Sequence, residues 1–157
     1  MERDIIQLDE VAADQETVSA LSYNILCDKY CTPSQYGYTP SGALDWEHRR
    51  GTILAELRDR DADILCLQEI DMESYDNFFR PALAHNDYKG MFSQKTRART
   101  MADKDAKLVD GCAIFYKHSK YVSKPPLART ALLTVADTCC WRSRSSISLI
   151  LQSIVQI

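Results

Sequence analysis

The sequence is sparing with the two residues that most often turn a chain. It holds five glycines and five prolines, and no glycine follows Gly111. No stretch approaches the roughly 18 apolar residues that a membrane-crossing helix needs, so no membrane partner is expected. The opening MERDIIQLDEVAADQE is acidic and has no apolar core segment, and it is not expected to act as a secretory leader. Six cysteines are present, but none forms a CxxC pair and no Cys/His spacing suits zinc. Cys66 and Cys112 lie in or beside apolar runs and are expected to pack as small hydrophobes. A reducing, intracellular setting follows as the expectation. His48, His85 and His118 are isolated, with no Ser or Cys at a spacing that suggests a nucleophilic triad. The net charge of −3 supplies no global pull toward polyanions, although a local basic patch can act alone.

What the chain does contain fits one globular domain. Its 157 residues suffice for one real core. Residues 1–16 read as an acidic lead, 17–122 as the folded body and 123–157 as a divergent tail. VSALSYNIL, Val18 to Leu26, has the β-branched and aromatic content of a strand. The following CDKYCTPSQYGYTPSG reads as a long ordered loop. A helix is predicted from Trp46 to Arg58 behind Asp45 as N-cap, with Trp46, Ile53, Leu54 and Leu57 on its buried face.

The nearly continuous apolar run ADILCLQ suits a strand covered on both faces. A second helix is predicted from Met72 to about Ala84, burying Tyr75, Phe78, Phe79 and Leu83, with Pro81 arguing for an interruption or an early end. DYKGMFS and VDGCAIFYK read as strands joined through a polar loop, Lys95 to Lys107. The order implies an α/β sandwich with a mixed sheet, because the last two strands can form a hairpin.

Three features carry chemistry. Glu69 ends the run ADILCLQE at the sheet edge where open α/β sheets place ligands. Mg²⁺ is often held by only one or two protein carboxylates, so a single Glu can anchor it. Glu69 equally reads as an exposed strand end pairing with an arginine. Asn24 interrupts the apolar strand SYNIL; it either orients a neighbouring carboxylate or phosphate, or is a turn residue or a satisfied core amide. KTRARTMADKDAK has five basic and two acidic residues. Lys95, Arg97 and Arg99 within it could follow a phosphate backbone, with the tyrosines of the Tyr30–Tyr38 loop stacking bases. The ordinary alternative is a solvated basic loop.

Together LSYNILCDKY, YGYTPSGALDWEHRR, ADILCLQEID, SQKTRART and VDGCAIFYK resemble the endonuclease/exonuclease/phosphatase superfamily. Within it they are most similar to the carbon-catabolite-repressor-type deadenylases, the nuclease subunits of the Ccr-Not complex. The resemblance runs from about Val18 to Val122 and implies about half of the family's α/β sandwich. It implies a Mg²⁺-dependent 3′-5′ exoribonuclease that shortens poly(A) tails, with poly(A) RNA and Ccr-Not subunits as partners. It makes Glu69 a metal ligand and Asn24 a member of the same catalytic cluster. The cytoplasm is the expected location, with the nucleus as an alternative by family analogy.

The departures are as definite. The family's later asparagine-and-histidine strand, Asp-x-Asn pair and terminal Asp-His pair are not found, and no leucine-rich repeat precedes the nuclease start. The last histidine is His118 and the last acid Asp137. No resemblance is seen beyond about Ser123, where the composition shifts and ends in the apolar SISLILQSIVQI. Three expectations follow: a chain inactive by itself, a sheet with one face open to water, and a poorly ordered tail. A non-catalytic RNA- or protein-binding fragment is the alternative.

Overall fold

The computed structural model describes residues 19–121 except residue 107. Expectations for the lead and the tail fall outside these residues. The described elements are β1 (Ala20–Asn24), a 3-10 turn (Asp28–Tyr30), α1 (Ser41–Leu44), α2 (Trp46–Arg60) and β2 (Ile64–Ile70). They continue with α3 (Met72–Ser74), a π turn (Tyr75–Phe79), α4 (Arg80–Ala84) and β3 (Tyr88–Gln94). A second 3-10 turn (Thr96–Thr100), α5 (Asp103–Ala106), β4 (Gly111–Lys117) and α6 (His118–Tyr121) complete the order.

The four strands form one mixed sheet in the order β1-β2-β4-β3. β1 runs parallel to β2, while β4 is antiparallel to both β2 and β3. The expected mixed sheet and β3–β4 hairpin are therefore present. The parallel pair needs a long crossover, and α2 lies within it.

α2 begins where its cap predicts. The Asp45 carboxylate accepts the His48 backbone N–H at 2.8 Å, satisfying one of the donors a helix start leaves orphaned. The helix ends at Arg60, two residues beyond the predicted end, with Asp61 in the left-handed region at φ 42°. Ile53, Leu54 and Leu57 are buried, and Trp46 packs on the same core.

The second helical run continues to Ala84 without the early end that Pro81 suggested. Its interruption is the π turn, closed by the Arg80 N–H on the Tyr75 carbonyl. The proline ring cannot sit over the carbonyl four residues back, and a widened turn directly before it relieves that conflict. The turn also places aromatics: Tyr75 stacks on Phe92 at 5.3 Å and Phe78 meets Phe79 edge-on at 5.0 Å.

Alternation sorts the strands into two faces. Leu65, Leu67, Ala113, Phe115 and Tyr88 join Leu57, Phe79 and Leu83 in the helix-side core. Gly90 lies under this packing: a Cβ there would come within 2.5 Å of the Phe115 ring. The opposite face carries Ile64, Cys66, Cys112 and Ile114, which are also buried, so at these positions it is not open to water as expected. The two cysteines pack there as small hydrophobes do.

Asp63 ties β1 to the end of the described chain. Its carboxylate accepts Ser19 N–H at 2.8 Å and pairs with Lys120 at 3.0 Å. Partial burial opposes its charge, but the Ser19 and Lys120 bonds prevail and hold its pKa below the ordinary 3.8. A depressed carboxyl pKa contributes stability fully above the ordinary value and loses it as pH falls through the folded one. Asp63→Asn is therefore expected to lower the melting temperature at pH 7. Melting curves taken at descending pH should show the gap to the parent protein closing below about pH 4. A gap that stays constant would show that the carboxylate charge is not the cause.

Candidate functional site

The sheet edge formed by the end of β1, the end of β2 and the start of β4 gathers the polar side chains singled out above. In the β1–β2 register Asn24 lies opposite Gln68. The β2–β4 register pairs Gln68 with Cys112 and Ile70 with Gly111, skipping Glu69. Glu69 is thus a bulge residue, with φ 55°. Simple alternation would point Glu69 to the same side as Leu67, into the helix-side core. The bulge hands that core position to Ile70, which is fully buried, and leaves Glu69 half-buried at the edge.

Asn24 stands at the strand end and is exposed, a correction to its reading as a mid-strand residue that burial would force into partnership. Both ends of its amide are nevertheless engaged. Its Oδ1 accepts the Leu26 N–H at 2.9 Å, so its Nδ2 must face the other way. Nδ2 donates to Glu69 Oε1 at 2.8 Å. Among the described residues the partner of Glu69 is therefore this amide and not an arginine. The turn that permits it has Leu26 at φ 53°, tied back by the Ile25 N–H to the Gln68 carbonyl at 3.0 Å.

The basic segment is not a plain loop: it forms the second 3-10 turn and α5. Two of its cations turn inward to Asp110, a fully buried carboxylate that the sequence reading did not single out. Lys95 Nζ lies 2.5 Å from one Asp110 oxygen and Arg97 lies 2.9 Å from the other. The Tyr30 hydroxyl donates to Asp110 at 2.9 Å and accepts from Arg97 at 2.6 Å. Burial works against the Lys95 charge, yet the Asp110 contact, with Glu69 adding to it, holds its pKa above the usual value. Burial and the neighbouring Asp110 push the Tyr30 phenol upward.

Tyr30 is thus committed to this network and does not stand free to stack a base. Tyr36 and Tyr38 lie with ring centroids 6.2 Å apart, and Tyr38 is 83% exposed. Arg99 is exposed on its 3-10 turn. Asp110 had one available signal: an acid next to a glycine at the entrance of a strand that follows a basic segment. Gly111 is required there, because a Cβ would run into the Ser93 carbonyl across the hairpin.

Among the described residues no three His, Cys, Asp or Glu side chains converge as a ready metal cage. The donor set at the edge is one carboxylate held by one amide. That fits a hard cation which keeps much of its coordination for water and phosphate, and does not fit a closed all-protein site.

The Endonuclease/Exonuclease/phosphatase family matches residues 21–142, running past the boundary at 122 where the visible resemblance ends. The chain is 70% identical over 122 residues to the "CCR4-Not complex 3'-5'-exoribonuclease subunit Ccr4" of Phaeosphaeria nodorum, covering 77% of this chain and 20% of the relative. It is 52% identical to the protein of the same description in Neurospora crassa, covering 75% of this chain and 15% of the relative. The chain thus spans a fifth or less of the length of these curated relatives. Among solved structures it is similar to ANGEL2, a 2',3'-cyclic phosphatase, with a TM-score of 0.53 at 32% identity, covering 65% of this chain and 27% of that one. These matches place the chain in the endonuclease/exonuclease/phosphatase family, with high similarity to the Ccr4 subunits named above.

Proposed function

We propose that this chain carries the metal-anchoring part of a 3′-5′ exoribonuclease site that shortens poly(A) tails. The observation that carries the proposal is the 2.8 Å bond from Asn24 to the bulged Glu69 at the sheet edge. Glu69 would hold Mg²⁺, and Asn24 would fix the carboxylate's orientation as outer partners of metal ligands do. When bound, the ion supplies charge stabilisation to the scissile phosphate and a more acidic water. Lys95, kept protonated beside Asp110 and Glu69, adds positive potential at the same edge. The names of the relatives support Ccr4-Not subunits as partners.

One carboxylate committed to a cation leaves the described site without a general base. The 157-residue chain alone is therefore proposed to be inactive. The test is a 5′-labelled RNA ending in a run of adenosines, incubated with the pure chain with and without Mg²⁺. The expected result is no shortening by a chain that circular dichroism shows to be folded, while calorimetry detects Mg²⁺ binding. Shortening that needs Mg²⁺ and Glu69 would overturn the inactivity, and absent Mg²⁺ binding would overturn the metal anchor.

A contribution of the basic segment to RNA binding is proposed for Arg99 above the other two. Lys95 and Arg97 already spend charge on Asp110, whereas Arg99 is exposed and has no ion pair among the described residues. Arg99→Ala is expected to lower the slope of log affinity against log salt by about 0.7 for a single strand. Its melting temperature should stay put. An unchanged slope would remove Arg99 from the RNA contact.

A further inference from the structure

Arg49 on α2 is a cation drawn partly out of water with no carboxylate bonded to it among the described residues. Its NH2 donates to the Ile25 carbonyl at 2.8 Å and also to the Leu26 carbonyl. Its guanidinium stands 5.2 Å over the Trp46 ring. Its NH1 is buried and has no hydrogen-bond partner among the described residues. Withdrawing a cation from water onto carbonyls alone is expensive, and two neutral acceptors repay only part of it.

The two acceptors belong to the turn that orients Asn24. Leu26 holds φ 53° in that turn, a conformation a γ-branched residue adopts only under constraint. The Leu26 N–H then reaches Asn24 Oδ1, which leaves Asn24 Nδ2 to Glu69. A continuous series of bonds therefore runs from Arg49 through the Ile25–Leu26 carbonyls and the Leu26 N–H to the Asn24 amide and the Glu69 carboxylate. Arg49 touches neither end of the Asn24–Glu69 pair, yet it clamps the backbone from which the pair is set.

We infer that Arg49 is a positioning residue for the Glu69 carboxylate. It acts through the Ile25–Leu26 turn and the Asn24 amide, and this rests on the reading of Glu69 as the Mg²⁺ anchor. The planar guanidinium suits the task because one nitrogen can serve two adjacent carbonyls while the ring-stacked face fixes its plane. A lysine keeps the charge but offers a freely rotating point donor in its place.

The test uses the full chain as Arg49→Lys, Asn24→Ala and the double variant. Two readouts are taken: the side-chain NH₂ signal of Asn24 in ¹⁵N spectra, and the Mg²⁺ dissociation constant by calorimetry. Arg49→Lys is expected to move the Asn24 side-chain signal to the position of an amide no longer bonded to a carboxylate and to weaken Mg²⁺ about tenfold. The double variant should bind Mg²⁺ no worse than Asn24→Ala, because both act on one series of bonds. An Asn24 signal unchanged in a folded Arg49→Lys chain overturns the inference, as does a double variant whose losses simply multiply. Glu69→Ala is the control that separates the two readings. If it still binds Mg²⁺, the metal reading fails, and the Asn24 signal alone decides whether Arg49 sets the pair. Should Arg49→Lys not fold, Arg49→Gln keeps a donor without the buried charge and takes the same two readouts.

Discussion

Asp110→Ala is expected to cost about 2–3 kcal/mol of folding stability. The carboxylate is fully buried and receives Lys95, Arg97 and Tyr30. Removing one member of an ion pair buried on both sides costs about 3–5 kcal/mol. Here the cations retain 34% and 55% of their side-chain exposure, so they can regain water when the anion goes. That rehydration takes the expected loss below the full figure. The Tyr30 hydroxyl adds to the loss: it keeps Arg97 as a donor but loses its own acceptor. Thermal melting should show a fall of about 10 °C or more for a domain of this size. A change within a degree or two would mean that the network is a surface arrangement and not a tie between the first loop and the basic segment.

Glu69→Gly is expected to separate function from stability. Mg²⁺ binding should fall below detection, since the variant removes the carboxylate on which the proposed site rests. Stability should hold or rise by up to about 1 kcal/mol, because glycine adopts positive φ without the Cβ penalty that Glu69 carries at φ 55°. Losing the Asn24 bond works against that gain, and the bond is exposed, so its net contribution is small. Calorimetry for Mg²⁺ and a denaturant melt on the same preparation decide it. A variant clearly less stable than the parent would mean that Glu69 is held at the bulge for packing. Strain kept at a carboxylate for no structural return is what a functional site predicts.

The sequence carried the local part of this fold well. Asp45 followed by a helical apolar stripe identified α2 from its first residue, and the run ADILCLQ identified β2. Both signals are short-range, set by capping and by alternation. Asn24 and Glu69 were legible as odd residues in apolar strands, although their distance from one another was not. Their bond crosses 45 positions and depends on a bulge that no local pattern announces. Asp110 stayed hidden for the same reason, because its importance arises from partners 13 and 80 positions away. The basic segment held a feature that a count of its five positive charges does not show: two of them pair with Asp110. The π turn was half visible, since Pro81 marked the place and the widened geometry that accommodates it was a matter of packing.

The parallel pairing of β1 with β2 also bears on the order in which the protein acquires its shape. β3 and β4 meet across a shorter connection and can pair as soon as both exist, whereas β1 closes on β2 only after the intervening loop and α2 are spanned. Closing the longer loop costs more chain entropy, and such contacts form late. Asn24 is made long before Glu69 and must wait for it. An emerging chain therefore passes through a period in which β1 is synthesised but unpaired, and the carboxylate edge is complete only once β4 has paired with β2 around the bulge.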